Sequence, residues 1–222
     1  MIIWLASYPK SGNTLLRSML SAYFYSKDGV FHFELLKNIK QFPDQKLFKN
    51  LGIDTDNELN VVKNYVKVQE EINKRDGKSV RFLKTHSSLN DINGHKFTNL
   101  ENTLGAIHIV RDPRDIMRSY ANQASISEEE AKNRILEIIT IGGKKDKKNK
   151  TVIHTGSWLT NYISWKQFKK TNKYLLMRFE DLTSEPEKNF LTILEFVHKL
   201  SNLKLTIDKN KLKNVLRTTS FE

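Results

Sequence analysis

No cysteine occurs among the 222 residues. That absence excludes a disulfide framework, a thiolate zinc site and a cysteine nucleophile. It leaves the redox compartment open, because a cysteine-free chain suits either environment. Glycine and proline are sparse, at nine and four, so collagen and low-complexity chains are excluded as well. No stretch approaches the run of roughly 18 apolar residues that a membrane span requires. The opening MIIWLASYPKSG has too short an apolar run for a secretory leader, and no basic segment precedes it. A cytoplasmic protein with no membrane association is expected. Acids are also in short supply: 25 Asp plus Glu stand against 37 Lys plus Arg, a formal net charge of +12. Such a balance points to an anionic partner, whether nucleic acid, an anionic membrane or a polyphosphate-like small molecule. Composition does not choose among the three.

What is present reads as a folded domain. Apolar residues make up 38% of a chain long enough to bury a core without staples. No repeat or linker interrupts it, so residues 1–222 are expected to form one domain. Residues 2–6 form a continuous apolar run, as in a strand buried on both faces. A turn-rich octet follows, and then Leu15, Leu16, Met19, Leu20, Tyr23 and Phe24 recur at helical spacing. Residues 57–75 read as one polar amphipathic helix, with Leu59, Val62, Val66 and Ile72 on its stripe. Further strands are expected at 80–84, 106–110 and 174–177. Asp112-Pro113 opens a helix, and Ser127 caps another that runs to about Ile139. Residues 142–150, GGKKDKKNK, read as a mobile surface loop, with helix resuming near 155. Ser184 with Glu187 is read as a capping box. Strands alternating with helices predict a three-layer α/β/α fold with a mainly parallel central sheet.

The octet Ser7-Tyr8-Pro9-Lys10-Ser11-Gly12-Asn13-Thr14 carries the strongest chemistry. Gly12 permits close backbone approach. The amides of Ser11, Gly12, Asn13 and Thr14 lie where a helix begins, so free N–H groups and the positive end of the helix dipole coincide. Lys10 adds a full charge, and the side chains of Asn13 and Thr14 are possible donors. The pattern describes a cradle for a phosphate-sized anion, with an ordinary basic strand-to-helix turn as the competing reading. It is not the Walker pattern GxxxxGK[ST], because the lysine precedes the glycine.

Residues 8–14 resemble the 5′-phosphosulfate loop YPKSGTTW of the PAPS-dependent sulfotransferases. Three more segments match that family in order. Leu83-Lys84-Thr85-His86 resembles its KTH segment, and Arg111 through Ser119-Tyr120 resembles RxPxDxxxSY. Gly156-Ser157-Trp158 with Glu180-Asp181-Leu182 resembles GxW and YEDL. The resemblance runs from about residue 2 to about residue 200. It implies a P-loop nucleoside-kinase-like fold and transfer of a sulfuryl group from PAPS to a hydroxyl or amine of a small acceptor, leaving PAP, without a metal. It assigns His86 as general base, with Lys10 and Lys84 stabilising charge. Lys10, Ser11, Gly12, Asn13, Thr14 and Leu15 would bind the 5′ end of the cofactor, and Arg111 and Ser119 its 3′-phosphate. The residue types suit these jobs: imidazole titrates near neutrality, and a guanidinium fork matches a phosphate dianion.

Leu15 stands where the family has tryptophan, and Phe179 where it has the YEDL tyrosine. No segment resembling the family's RKGxxGxW clamp follows Ser220. A fragment, a weaker cofactor site or a lost activity are the expectations attached to that departure. The other histidines, His108 included, are assigned no chemistry. Phe31, Phe33, Phe42 and Phe48 either wall an apolar acceptor pocket or cap the core. Two other functions remain open: a P-loop-type small-molecule kinase, and a basic nucleic-acid binder without catalysis, which the lysine run at 144–150 brings to mind. A sulfotransferase would bind no nucleic acid and would prefer PAP over ADP without metal; a kinase would do the reverse with Mg²⁺. Oligomeric state is not readable.

Overall fold

The computed structural model describes residues 1–75, 80–142, 151–202 and 206–220. Strand β1 (Ile2–Ala6) is buried along its whole length. Its side chains alternate between two apolar layers, as a strand's period of two requires. Ile3 and Leu5 face one cluster; Ile2, Trp4 and Ala6 face the other. This strand is the centre of a five-stranded sheet in the order β2-β3-β1-β4-β7. The partners are β2 (Lys40–Gln41), β3 (Arg81–Thr85), β4 (Thr103–Val110) and β7 (Tyr174–Arg178). Every pairing in this sheet is parallel. Parallel strands need crossovers, and helices supply them on both faces. Helices α1 (Asn13–Tyr25), α9 (Pro186–Ser201) and α10 (Lys209–Thr219) cover the Ile3 face. Helices α2 (Gln45–Lys49), α3 (Glu58–Lys63), α4 (Tyr65–Lys74) and α7 (Trp158–Lys166) cover the Trp4 face. The three-layer α/β/α architecture is the one expected.

Several local expectations are corrected. The single helix over 57–75 is two, α3 and α4, because the Asn64 amide turns back to Asn60 O at 2.7 Å and takes the backbone out of helical register. Leu59 accordingly faces solvent, and Val61, Val62, Tyr65 and Val68 reach the core. The helix opened by Pro113 is α5 (Pro113–Ala124), and Ser127 does cap α6 (Glu128–Leu136), its hydroxyl accepting from Glu130 N. That helix stops early, since Ile138-Ile139-Thr140-Ile141 is a β-branched run that prefers extended backbone. Strand β5 (Ile139–Gly142) pairs antiparallel with β6 (Val152–Gly156) in a small separate sheet. The expected loop at 142–150 otherwise lies outside the described residues. Ser184 belongs to the short helix α8 (Phe179–Ser184), and its hydroxyl donates to Asp181 O rather than capping α9; Pro186 sets the first turn there.

The phenylalanine group also divides. Phe42 and Phe48 are wholly buried among Trp4, Tyr65 and Phe97, with centroid separations of 5.6 Å to Trp4 from Phe42 and 6.1 Å to Tyr65 from Phe48. They are core, not pocket wall, while Phe33 is 80% exposed beside Phe31. No described helix is long and apolar enough to cross a membrane.

Candidate active site

Four neighbouring strands of the sheet, β3, β1, β4 and β7, end side by side and in the same direction. The residues just beyond those ends are His86, the octet, Arg111 and Phe179. Open parallel sheets place their sites in this position, because the strand ends and the helix N-termini that follow converge there.

The octet bends through two left-handed residues, Lys10 at φ +68° and Gly12 at φ +91°. Gly12 is the N-cap of α1; among the described residues no side chain caps it and no acid occupies the first turn. The first backbone bond of the helix runs from Leu16 N to Gly12 O at 3.3 Å. The amides of Gly12, Asn13, Thr14 and Leu15 therefore have no intrahelical acceptor and carry the positive end of the dipole. Ser11 differs from expectation. Its N–H donates to Tyr8 O at 3.3 Å, and the residue is 1% exposed, behind the loop. The side chain of Asn13 also turns inward, donating from Nδ2 to Leu5 O at 3.0 Å and Ser7 Oγ at 3.1 Å. Only its backbone N–H remains for a ligand.

A cavity of about 670 Å³ opens above these groups. Lys10, Gly12, Asn13, Thr14, Leu15, Lys84, His86, Arg111 and Ser119 all line it; Ser11 is the one expected site residue that does not. No acidic side chain lines it among the described residues. Arg111 is held from two sides. Its Nη1 reaches Lys10 O at 3.4 Å, and its guanidinium lies 4.6 Å from the centroid of Phe179. The same ring packs against Gly12, so a β-carbon at position 12 would collide with it. Arg111 does not pair with the acids that follow it. Asp112 caps α5 and binds Arg114, whose hydrogen bonds hold the carboxyl down to about 2. Among the described residues Arg111 Nε is buried without a partner.

His86 Nδ1 lies 2.9 Å from Ser7 O and 3.1 Å from Ser7 Oγ. A carbonyl can only accept, so Nδ1 carries the proton and Nε2 keeps its lone pair. Burial, followed by the charge of Lys84, pushes the imidazole down to about 3, against the opposing pull of the Ser7 carbonyl. The ring is neutral at pH 7. Lys84 is pushed down to about 8, mainly by burial and then by Arg17. Arg17 itself is tied to Leu36 O and Ile39 O at 3.0 and 2.8 Å. His108 sits in β4, buried, with Nδ1 2.8 Å from the Tyr174 hydroxyl. It does not line the cavity.

The model of the sulfotransferase domain matches residues 2–222. This chain belongs to the sulfotransferase domain family. Among solved structures, this sulfotransferase domain is similar to mouse sulfotransferase SULT7A1 complexed with PAP, at 18% identity and a TM-score of 0.60. That match covers 99% of this chain and 64% of the mouse protein. It is also similar to retinol dehydratase in complex with androsterone and inactive cofactor PAP, at 12% identity and a TM-score of 0.55, covering 98% of this chain and 63% of that one. The likeness is one of fold, and the chain spans less than two thirds of the length of either structure. No curated protein matches the sequence.

The cavity of this sulfotransferase domain has walls that sequence reasoning missed: Tyr8, Tyr120, Gln123, Ile139 and Ile141. Gln123 was within reach, since it lies one helical turn beyond Ser119 on α5. Ile139 was hidden by the expectation of helix to that point, and Ile141 fell between that helix and the expected loop with no role attached. No group of three His, Asp or Glu side chains that could hold a metal occurs among the described residues.

Proposed function

We propose that this chain transfers the sulfuryl group of PAPS to a hydroxyl of a small-molecule acceptor. The carrying observation is one cavity, with no acid in its lining among the described residues, that brings together the N-terminus of α1, Arg111 and His86, whose Nδ1 is turned to Ser7. The donors suit a doubly phosphorylated nucleotide: the α1 amides have no intrahelical acceptor, and among the described residues Arg111 Nε is buried without a partner. When bound, PAPS supplies an activated sulfuryl group on a phosphate leaving oxygen. The α1 amides, Lys10 and Thr14 would hold its 5′ end, and Arg111 with Ser119 its 3′-phosphate. Lys10 and Lys84 place positive charge where negative charge develops. Nε2 of His86 is the atom placed to accept the acceptor's hydroxyl proton; the expected titration near neutrality is not met, because burial and the nearby cations hold the ring at about 3, and an anionic cofactor beside Lys84 would offset that charge. With cations and, among the described residues, no carboxylate in its lining, the cavity favours a neutral or anionic hydroxyl compound over a protonated amine. The same lack of carboxylates disfavours a Mg²⁺-dependent kinase.

Residues 1–222 would act as one cytoplasmic, sulfotransferase-like domain on a small molecule rather than on nucleic acid. Calorimetric titration with PAP, with ADP and with ADP plus Mg²⁺ tests it. PAP binding without metal, tighter than ADP, is expected. No PAP binding, or ADP preferred with Mg²⁺, would overturn it.

A further inference from the structure

Three elements that supply no reacting group converge on His86. Ser7 follows the last paired residue of β1, and its N–H donates to Thr85 O at 3.2 Å, so the strands remain in step where His86 begins. Both Ser7 oxygens then face one ring nitrogen, the carbonyl at 2.9 Å and Oγ at 3.1 Å from Nδ1. The carbonyl admits only the Nδ1–H tautomer. The hydroxyl is ambiguous, because by donating to Nδ1 it would move the ring proton to Nε2 and remove the basic lone pair.

Asn13 fills one lone pair of Ser7 Oγ at 3.1 Å and anchors itself on Leu5 O at 3.0 Å. Leu5 O is a pure acceptor, which settles the direction in which the amide points. The Ser7 rotamer is thereby held with carbonyl and hydroxyl oxygens on the same side of Nδ1. Ser7 and Asn13 are both buried, so water does not replace either contact. From α7, Asn161 Nδ2 donates to His86 O at 3.0 Å and fixes the backbone beneath the ring. The charged groups that act on the ring are Lys84 on its own strand and Arg17 on α1, both cations. Neither offers an acceptor that would select a tautomer.

Resting on the reading of His86 as the base, we propose that Ser7 and Asn13 are positioning residues that lock His86 as its Nδ1–H tautomer and leave Nε2 open to the acceptor. Ring ¹⁵N NMR of histidine-labelled protein tests this without an acceptor, with His86→Gln used to assign the signal. The wild type should show a single Nδ1–H tautomer at pH 7. Asn13→Ala, which frees the Ser7 hydroxyl to turn and donate to Nδ1, should show a substantial Nε2–H population; Ser7→Ala, which keeps the carbonyl and removes the competing donor, should remain Nδ1–H, and the Asn13→Ala/Ser7→Ala double variant should return to Nδ1–H. Each variant should unfold on heating in one cooperative transition, which separates ring orientation from loss of the fold. A single Nδ1–H tautomer retained in Asn13→Ala, or a substantial Nε2–H population in Ser7→Ala, would overturn the positioning role. Failure of the wild type to bind PAP would overturn the proposed function instead, and leaves the tautomer result to stand or fall alone.

Discussion

Replacing Gly12 by alanine would put a methyl group where the ring of Phe179 already lies. Two costs combine. Gly12 sits at φ +91°, and an L-residue in the left-handed region costs roughly 1–2 kcal/mol. The overlap with the ring adds an overpacking cost of about 1–3 kcal/mol. Relief is available in two ways, and both damage the cradle. If Phe179 turns away, Arg111 loses the ring on which it rests and keeps only its 3.4 Å contact to Lys10 O. If the loop relaxes, the uncapped amides of α1 lose their common direction. PAP affinity should therefore fall at least about tenfold, the equivalent of about 1.4 kcal/mol. Calorimetry with PAP on Gly12→Ala, Phe179→Ala and the double variant reads the effect, with thermal unfolding alongside. The double variant should lose less stability than the two single losses added, because removing the ring removes the collision. Wild-type affinity and unfolding temperature in Gly12→Ala would refute the reasoning, as would strict additivity in the double variant.

Lys84→Met should reduce transfer by well over tenfold while leaving the urea midpoint unchanged or higher, since the fold already disfavours the lysine charge and holds its pKa at about 8. Lys10→Met should likewise lower turnover more than stability; wild-type turnover would contradict its charge role. Arg111→Lys should weaken PAP more than ADP, because a point charge replaces both the fork and the planar contact with Phe179, and paired titrations measure the ratio. His86 and His108 are both pushed from 6.5 to about 3, chiefly by burial, so the unfolded chain binds more protons between those values. Their contribution to stability is complete above about pH 6.5 and is lost as pH falls toward 3. Urea unfolding at pH 7 and pH 4.5 should show that decline, and a His108→Phe variant should show a shallower one.

Much of this was written in short stretches of sequence. Strand β1, the turn at Gly12 and helix α1 are contiguous, and so is the cap that Asp112 and Pro113 build for α5. Such signals depend on neighbours within about four residues, and the structure keeps them. The errors came where local preference was divided. Asn64 breaks a helix through its own side chain, and Ile139 leaves one because β-branched residues favour a strand that exists only when β6 pairs with it. Ser184 carried a capping pattern, but Pro186 two residues later set the helix start.

For the site, the residue types of the octet nominated Lys10, Gly12 and Thr14, and the resemblance to the sulfotransferases added Lys84, His86, Arg111 and Ser119 from separate stretches of the chain. Their meeting in one cavity depends on four parallel strands ending in a row, a matter of pairing between residues as far apart in the chain as Ala6 and His108. Direction and charge state depend on that packing too. No pattern in the octet tells that Asn13 points inward to Ser7, that Ser11 stands behind the loop, or that Phe179 lies on Gly12 beneath Arg111. Nor does sequence show the depressed pKa values of Lys84 and His86, because desolvation follows from what covers a group in space. Local chemistry is a property of adjacent residues; a cavity, a buried charge and a ring's tautomer belong to groups that only folding makes neighbours.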